Sequence, residues 1–314
     1  MQFIILGAII VLVLAIILLL KTVNKNKVAN AAKSGKTDLC SSMDCVRCSA
    51  YETLLKSVQI KLNAFLIQSP SEAENIERLC TSVSSRFREK VTREWKLSGS
   101  TQQPHVLYLQ GLTAKPWHSD MYMSEQNILR KNFAEILSEF QRVEEFDCGW
   151  TTNRVPTGSW HVFHLINQGK VVEDNSSRCP QTLRILRSLE SIMTENVFGN
   201  VFFSVLDPGT SIEEHCGPTN IRLRIHLGLQ VPYGCVQLTV NYIPTEWVEG
   251  ETLVFDDSFI HSVKHTGSLD LTCTRAVLIA DLWHPQVTLA ERSTINYMFS
   301  SRQNSGSIAT TDNS

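Results

Sequence analysis

The sequence predicts a mainly β protein, a sandwich or jelly roll with flanking helices, preceded by one N-terminal membrane-spanning helix. Three observations support this fold class. Residues 3–20 are an uncharged apolar run, the hydrophobic period changes to two from Trp160 onward, and short alternating segments separated by turn residues continue to Trp283. No crossover helices are predicted between these short strands, which favours antiparallel β architecture over a parallel sheet.

Length, composition and charge limit the possible functions. The 314 residues, 43% of them hydrophobic, suffice for one large core or two modest ones. The net charge of −2 and the absence of a Lys/Arg stripe provide no electrostatic field that would attract nucleic acid. We therefore expect no nucleic-acid partner.

The apolar run at residues 3–20 would span about 27 Å as a helix, close to the hydrocarbon thickness of a bilayer. A buried core helix would have a polar stripe, and a cleaved signal peptide would begin with basic residues and end with small ones. Neither description fits, because the chain begins Met1-Gln2 and the run ends in three leucines before Lys21. Residues 1–20 are therefore predicted to be an uncleaved signal-anchor that attaches the protein to a membrane.

Evidence in the sequence for the orientation of this anchor is divided. Five lysines between positions 21 and 36 favour a cytosolic domain by the positive-inside tendency. The triplet Asn175-Ser176-Ser177 is a glycosylation sequon and favours the lumen, although such triplets often arise by chance. The nine cysteines do not identify the compartment, since an odd number leaves at least one thiol unpaired.

Two segments are predicted between the anchor and the strand domain. Residues 21–48 are a basic linker ending in Cys40, Cys45 and Cys48, whose spacing suits part of an iron–sulfur site, a local disulfide or lipidated thiols. Residues 49–114 are a helical spacer, because helical spacing with little Gly or Pro continues to Trp95.

The strand domain is assigned to residues 115–299. Within it, residues 124–146 are predicted to form one amphipathic helix. Its apolar face consists of Ile128, Phe133, Ile136, Leu137 and Phe140. The polar tail, residues 300–314, is predicted to be disordered.

The strand pattern at residues 221–229 has aliphatic residues at every odd position, whereas Arg222, Arg224 and His226 occupy even positions. One face therefore packs in a core and the other presents two cations and an imidazole. Taken alone, a solvated face is the preferred interpretation of this pattern. A cluster in a barrel mouth would instead bind a dicarboxylate, because Arg pairs with carboxylates in bidentate geometry.

Arg275 lies in a second strand pattern, residues 274–283, that is otherwise apolar. A buried guanidinium is costly unless it is paired, and either an acidic side chain or a ligand carboxylate could pair with it. His215 follows a Pro-Gly turn, and His261 follows the acidic segment 255–260. Spacing alone does not distinguish these two from the histidines that are core or surface residues by default, which are His118, His161, His164, His265 and His284.

Five motifs occur in order along the chain: 204–210 (SVLDPGT), 215–220 (HCGPTN), 222–229 (RLRIHLGL), 255–261 (FDDSFIH) and 281–285 (DLWHP). Together they resemble the aspartyl/asparaginyl β-hydroxylase family over roughly residues 115–292, and Trp160 with Asn167-Gln168-Gly169 extends the match upstream. The N-terminal anchor followed by the three cysteines is more similar to the aspartate β-hydroxylase domain-containing membrane proteins than to the long, repeat-bearing hydroxylase.

The resemblance implies a double-stranded β-helix that holds Fe(II) and uses 2-oxoglutarate and O2 to hydroxylate the β-carbon of Asp or Asn in protein substrates. His215 and His261 match the two catalytic iron ligands. Gly217 matches the position where related oxygenases place Asp or Glu, and this family lacks that carboxylate as well. The residues that match co-substrate contacts are Trp160, Ser204, Arg224, His226 and Arg275. About four more residues separate His261 from Arg275 than in the family.

Two other functions are considered. One is a non-catalytic jelly-roll module that keeps the ligand pocket and binds a partner, and the other is a zinc hydrolase that uses the same two histidines. Retention of both histidines and of the matched co-substrate residues favours the oxygenase. The resemblance also implies a type II anchor with the domain in the lumen of the endoplasmic reticulum, against the lysine bias, and we expect the lumenal orientation. The sequence does not identify the substrate.

Overall fold

A computed structural model describes residues 51–89, 101–153, 155–268 and 273–300. The predicted anchor at residues 3–20, the three cysteines between positions 40 and 48, and the tail from residue 301 lie outside the described residues. No helix within the described ranges is long and apolar enough to cross a membrane.

Two antiparallel sheets form the body of the protein. Their strands are β1 (Thr151–Asn153), β2 (Trp160–Asn167), β3 (Lys170–Val171), β4 (Val201–Leu206), β5 (Ser211–His215), β6 (Arg222–Gln230), β7 (Val236–Val240), β8 (Ile243–Thr245), β9 (Thr252–Phe255), β10 (His261–His265) and β11 (Arg275–Trp283). One sheet has the order β1-β2-β4-β11-β6-β9 with β3 beside β2, and the other has the order β5-β10-β7-β8. From β4 onward, the chain crosses between the two sheets, so that β4-β11-β6-β9 faces β5-β10-β7-β8. This arrangement is a jelly roll. The predicted mainly β fold is confirmed.

Helices precede the first strand, lie between β3 and β4, and follow the last strand. They are α1 (Tyr51–Gln68), α2 (Glu77–Glu89), α3 (Met123–Lys131), α4 (Phe133–Glu144), α5 (Glu173–Ser176), α6 (Pro180–Arg187) and α7 (Leu289–Met298). The short helices α5 and α6 lie between β3 and β4, so the strand series from Trp160 is interrupted where no helix was predicted.

The prediction of one continuous helix over residues 124–146 is wrong. Helix α3 ends at Lys131 and α4 begins at Phe133, because Asn132 has non-helical backbone angles (φ −102°, ψ 17°). The Asn132 side chain donates a hydrogen bond to the carbonyl of Ile128 at 2.7 Å. Such local side-chain bonds compete with the helical backbone, which accounts for the break.

Separate apolar clusters join these elements. Helices α4 and α6 cover the larger sheet, where Phe140 packs edge-on against Phe203 with 5.4 Å between ring centroids. A second cluster joins α1, the segment around Leu107, and Trp283 at the end of β11. The residues predicted as a helical spacer therefore share a core with the strand domain, and the boundary at residue 115 stays a prediction.

Residues 101–109, here called the strap, cross the loops that lead from β5 and into β10. The Gln103 amide donates to the Ser258 carbonyl at 2.9 Å, and the Ile260 amide donates to the Thr101 carbonyl at 2.7 Å. Farther along, the Val106 amide donates to the Pro218 carbonyl at 2.8 Å. The strap thus ties two loops, whose contacts at Pro218 and Ser258 are 40 residues apart in sequence, into one surface.

The glycosylation sequon is buried in the fold. Asn175, in α5, is only 6% exposed. Its Nδ2 atom, which would carry a glycan, donates to the carbonyls of Gly149 at 3.2 Å and His164 at 2.9 Å. The folded protein has no room for a sugar at this atom, so the sequon gives no support to a lumenal orientation.

Candidate active site

A cavity of about 690 Å³ lies between the two sheets of the jelly roll. It is open to solvent at one end and closed by aromatic and aliphatic side chains at the other. Every residue that was predicted for the site lines it: Trp160, Ser204, His215, Arg224, His226, His261 and Arg275. These side chains lie on the inner surfaces of the sheets. Trp160 is the first residue of β2, and the others belong to β4, β5, β6, β10 and β11.

His215 and His261 are cross-strand partners at the ends of β5 and β10 that face the strap. Their ring centroids are 4.1 Å apart. The His215 Nδ1 atom lies 2.8 Å from the Glu213 carbonyl, and the His261 Nδ1 atom lies 2.9 Å from the Phe259 carbonyl. Because a carbonyl only accepts, each Nδ1 donates its proton, and each Nε2 of the neutral ring keeps its lone pair.

The charge state of His261 suits a metal ligand. Burial, together with the neighbouring His215 ring, lowers the pKa of His261 from 6.5 to about 3. The imidazole is therefore neutral at physiological pH, which is the form that binds metals.

A β-bulge in β5 aims two consecutive side chains at the cavity. His215 pairs with His261, and Ile212 pairs with Val263. The two paired positions are therefore three residues apart in β5 but only two residues apart in β10. In a regular strand, consecutive side chains point to opposite faces, whereas a bulge redirects them. Glu214 and His215 consequently both line the cavity.

Among the residues that the structure describes, no third protein ligand completes the histidine pair. Gly217 has no side chain, and a Cβ built there would lie 2.6 Å from the Asp257 carboxyl group. In the described part of the chain, no group of three or more His, Cys, Asp or Glu residues is arranged to hold a metal. Two imidazoles from β5 and β10 are therefore the donor set that the geometry offers.

Asp257, which was not singled out from the sequence, is a buried carboxylate that pairs with two arginines. Its Oδ2 atom lies 2.5 Å from Arg222 Nη2 and 3.4 Å from Arg224 Nη1. Burial alone would raise the pKa of Asp257, but the charges of Arg222 and Arg224 outweigh it and hold the pKa below its usual range. Asp257 is thus ionised and neutralised by cations from β6.

The solvated-face interpretation of residues 221–229 is wrong. Arg222 is 3% exposed, and its Nη1 atom lies 3.1 Å from Asp281 Oδ2. Arg224 Nε lies 2.8 Å from Asp281 Oδ1, across a registered pair of β6 and β11. The two arginines are buried because two carboxylates from distant parts of the chain compensate them, and Arg224 also reaches the cavity.

Arg275 has no such compensation. It is 2% exposed, and no carboxylate of the described residues lies within ion-pair distance of it. Its Nη1 atom donates to the carbonyl and hydroxyl of Ser204 at 3.1 and 3.3 Å, while its Nε atom has no partner in these ranges. The guanidinium stands 4.8 Å above the Trp247 ring, and burial lowers its pKa from 12.5 to about 9.

Two tryptophans hold the polar groups around Arg275. Trp247 Nε1 donates to His226 Nδ1 at 3.1 Å, so the proton of the neutral His226 ring is on Nε2. This Nε2 atom is buried and has no hydrogen-bond partner among the described residues. Trp160 Nε1 donates to the Ser204 hydroxyl at 3.0 Å. Trp247 was not identified from the sequence, because its surroundings show no strand or helix period and nothing local indicates that it faces a cavity.

The donor set has the chemistry of a site for a metal and a dicarboxylate. The unpartnered Arg275 Nε and His226 Nε2 atoms are hydrogen-bond donors at the inner end of the cavity. On the opposite sheet, His261 is neutral, and His215 in its neutral form likewise offers the lone pair of Nε2. Fe(II) accepts imidazole ligands, and a guanidinium is the best protein partner for a carboxylate. The residues present therefore fit Fe(II) and 2-oxoglutarate.

Comparison with known proteins places this geometry among hydroxylases. Residues 124–285 match the family model described as Aspartyl/Asparaginyl beta-hydroxylase. Aspartate beta-hydroxylase domain-containing protein 2 of Homo sapiens is 39% identical over 281 residues, which cover 86% of this chain and 73% of that protein. Aspartyl/asparaginyl beta-hydroxylase of Mus musculus is 34% identical over 204 residues, 62% of this chain and 27% of that protein.

A solved prolyl-4-hydroxylase from Pseudomonas putida aligns with 51% of this chain and 87% of its own at 14% identity and a TM-score of 0.31. Likeness at this level supports no argument about chemistry.

Proposed function

The chain belongs to the aspartyl/asparaginyl β-hydroxylase family, and from this premise we propose that it is an Fe(II)- and 2-oxoglutarate-dependent dioxygenase that hydroxylates the β-carbon of Asp or Asn in protein substrates. His215 and His261 would hold the metal through their Nε2 atoms. Bound Fe(II) would supply O2 activation coupled to the decarboxylation of 2-oxoglutarate to succinate and CO2.

The observation that supports this proposal most strongly is the buried Arg275. A guanidinium as deeply buried as that of Arg275, with no counter-ion among the described residues, destabilises the fold by several kcal/mol unless a ligand supplies the anion. The far carboxylate of 2-oxoglutarate would do so, with the Ser204 hydroxyl and the His226 Nε2 proton as further hydrogen-bonding groups. Trp160 holds the Ser204 hydroxyl in place through its 3.0 Å hydrogen bond.

Arg224 has a different role in the proposal. Its guanidinium is shared between Asp257 and Asp281, so it is fixed in one orientation while it lines the cavity. A fixed cation in the same cavity as the two histidines and Arg275 would orient the co-substrate without moving when it binds. With only two protein ligands, we expect the iron to be held more weakly than in an enzyme with two histidines and a carboxylate.

Purified full-length protein with Fe(II), O2 and 2-oxoglutarate should form succinate, and His215→Ala should not. Binding is tested separately by thermal unfolding, because a ligand of the native state raises Tm by mass action. Binding of 2-oxoglutarate without succinate would mean that turnover needs the protein substrate. Neither binding nor succinate would contradict the proposal and favour the non-catalytic binding module.

For location, we propose a single-pass type II protein of the endoplasmic reticulum, with residues 3–20 in the membrane and the jelly roll in the lumen. The uncharged apolar run and the family membership support this choice. The lysines at positions 21–36 oppose it, and the buried Asn175 no longer contributes to the argument.

A further inference from the structure

The mouth of the cavity is formed in part by the strap, which lies outside the residues that match the family model. Gln102, Pro104 and Val106 are buried, whereas Gln103 is exposed and His105 is half-buried. Gln103 and His105 both line the cavity. The alternation is that of an extended segment, with one set of side chains anchored in the protein and the other set facing the opening.

The strap is fixed to the loops that precede or follow both candidate metal ligands. In addition to its backbone bonds, Gln102 Nε2 donates to Asp256 Oδ2 at 2.9 Å and to the Ser258 hydroxyl at 3.1 Å. Near its other end, the Leu109 amide donates to Asn220 Oδ1 at 2.8 Å. Gln103 and His105 are consequently held at a constant position relative to His215 and His261, as residues that contact a substrate must be.

Glu214 contributes an acidic group to the same opening. The bulge in β5 turns this exposed side chain to the cavity, next to His215. No cation of the described residues forms an ion pair with it. Farther inside, the uncompensated Arg275 and the orphaned His226 Nε2 mark the end that takes an anion. The cavity thus has a cationic inner end and an acidic mouth.

This charge arrangement restricts what can enter. A carboxylate at the mouth repels both 2-oxoglutarate and an aspartate side chain, by the modest amount that solvent screening leaves to an exposed charge. A positive charge on the incoming polypeptide would cancel the repulsion and pair with Glu214. The fold provides this acid through a bulge, which is a local distortion that a strand avoids unless a side chain must be redirected.

We propose that Gln103, His105 and Glu214 form the substrate-recognition rim, and that Glu214 selects polypeptides with a Lys or Arg within about two residues of the target side chain, the reach of adjacent positions in an extended chain. The proposal rests on the proposed function, because it assumes that the polypeptide presents its target to the cavity. Gln103 and His105 form hydrogen bonds with the polypeptide, and Glu214 forms an ion pair with its Lys or Arg.

The test uses full-length protein in detergent without added metal or 2-oxoglutarate, so that binding is measured independently of turnover. Three fluorescent nonapeptides have a central Asp and differ only in the residues two positions to either side, which are Lys, Gln or Glu. Affinities come from fluorescence anisotropy. The wild type should bind the Lys peptide about three- to five-fold more tightly than the Gln peptide, the effect of one partly exposed ion pair, and the Glu peptide least.

Matched variants distinguish a specific effect of the Glu214 charge on peptide binding from the effect of general surface charge. Glu214→Gln should abolish the preference and Glu214→Lys should reverse it, whereas Glu213→Gln, one residue away on the same strand and not lining the cavity, should keep it. Gln103→Glu should increase the preference for the Lys peptide. His105→Ala should lower the affinity for all three peptides by the same factor. Circular dichroism checks that each variant is folded.

Equal affinity of the wild type for the three peptides, no binding of any of them, or an equal effect of Glu213→Gln and Glu214→Gln would each overturn the proposal. The proposed function fails on different measurements, namely 2-oxoglutarate binding and succinate formation, so the two failures are distinguishable.

Discussion

Gly217 and Asp257 are in direct contact at the end of the cavity that holds His215 and His261. The Gly217 amide donates to the Asp257 carbonyl at 2.6 Å, and a Cβ at position 217 would lie 2.6 Å from the Asp257 carboxyl group. The place where a facial triad would have its carboxylate is therefore occupied from another loop, by a side chain that two arginines already neutralise.

Gly217→Asp should not create a three-ligand metal site. The new side chain would meet the Asp257 carboxylate, so we expect no gain in Fe(II) affinity and a loss of about 1–3 kcal/mol in unfolding free energy from overpacking. Metal titration and urea unfolding measure the two effects. Gly209→Ala is the control, because Gly209 has positive φ (79°) and open space around it, and should cost about 1 kcal/mol without changing metal affinity. Tighter Fe(II) binding by Gly217→Asp would contradict this interpretation.

Arg275→Met and Arg222→Met should change stability in opposite directions. Removal of an uncompensated buried charge should stabilise the ligand-free protein, by about 1–4 kcal/mol, and abolish the rise in Tm that 2-oxoglutarate causes. Removal of Arg222 leaves Asp257 and Asp281 partly unpaired in the core and should cost about 3–5 kcal/mol. Urea unfolding of both variants provides the comparison. A destabilised Arg275→Met that still responds to 2-oxoglutarate would contradict the assignment of Arg275 as the carboxylate-binding residue.

Asp256 should make stability depend on pH near neutrality. Burial raises the pKa of Asp256 from 3.8 to about 7, against hydrogen bonds from Ser258 and Gln102. Because the folded pKa exceeds the unfolded value, the stability associated with this carboxyl is complete below pH 4 and is lost as the pH rises to 7. Asp256→Asn mimics the protonated form, so its unfolding free energy relative to the wild type should increase between pH 5 and pH 8 by about 2–3 kcal/mol. The same difference at both pH values would show that Asp256 does not titrate in this range.

The start of the folding unit can be tested by truncation. Eight apolar residues before position 115 are buried in the cluster with Trp283, namely Val58, Leu62, Ile76, Leu79, Val83, Val106, Leu107 and Leu109. Each contributes roughly 1.5–3 kcal/mol, while a whole domain is stable by only about 5–15 kcal/mol. We expect a chain that begins at residue 51 to fold, one that begins at 101 to be less stable, and one that begins at 115 to aggregate. Size-exclusion chromatography and circular dichroism rank the three, and a well-folded chain from 115 would confirm the boundary predicted from the sequence.

Orientation in the membrane needs a glycosylation site on the surface. Removal of Asn175 by substitution should leave the electrophoretic mobility unchanged in either orientation, because its Nδ2 atom is buried. The double substitution Glu145→Asn/Asp147→Thr introduces a sequon in the exposed loop after α4. A lumenal domain should then gain a glycosidase-sensitive mass, and the Glu145→Asn single substitution should not. An unmodified double variant would assign the domain to the cytosol.

Local patterns in the sequence predicted where the strands lie better than they predicted which residues surround each strand. The alternation in residues 221–229 and 274–283 is a property of neighbouring residues, and β6 and β11 follow it. Burial of Arg222 could not be predicted in the same way, because its partners Asp257 and Asp281 are 35 and 59 residues away. Nothing near Asn132 distinguishes a helix break from a polar surface position until its side chain is seen to bond the backbone.

Two parts of the site were missed for related reasons. The strap has no hydrophobic period long enough to predict an extended segment, and its contacts are with loops more than 100 residues later in the chain. Trp247 acts through Arg275 and His226, which are brought together only by the pairing of β6 with β11. The motifs shared with the family identified the site residues, whereas the partners that orient them depend on tertiary packing.

The position of Arg275 at the first residue of β11 makes the cavity independent of the length of the connection before it. Arg275 is registered with Leu206 of β4, and Ala276 with Gln230 of β6, so sheet pairing sets its place. The additional residues that separate it from His261 fall between the two strands. An epitope tag or fluorescent label inserted after the exposed Ser268 should therefore leave ligand binding intact, which would make this position a practical attachment point for following the protein in cells.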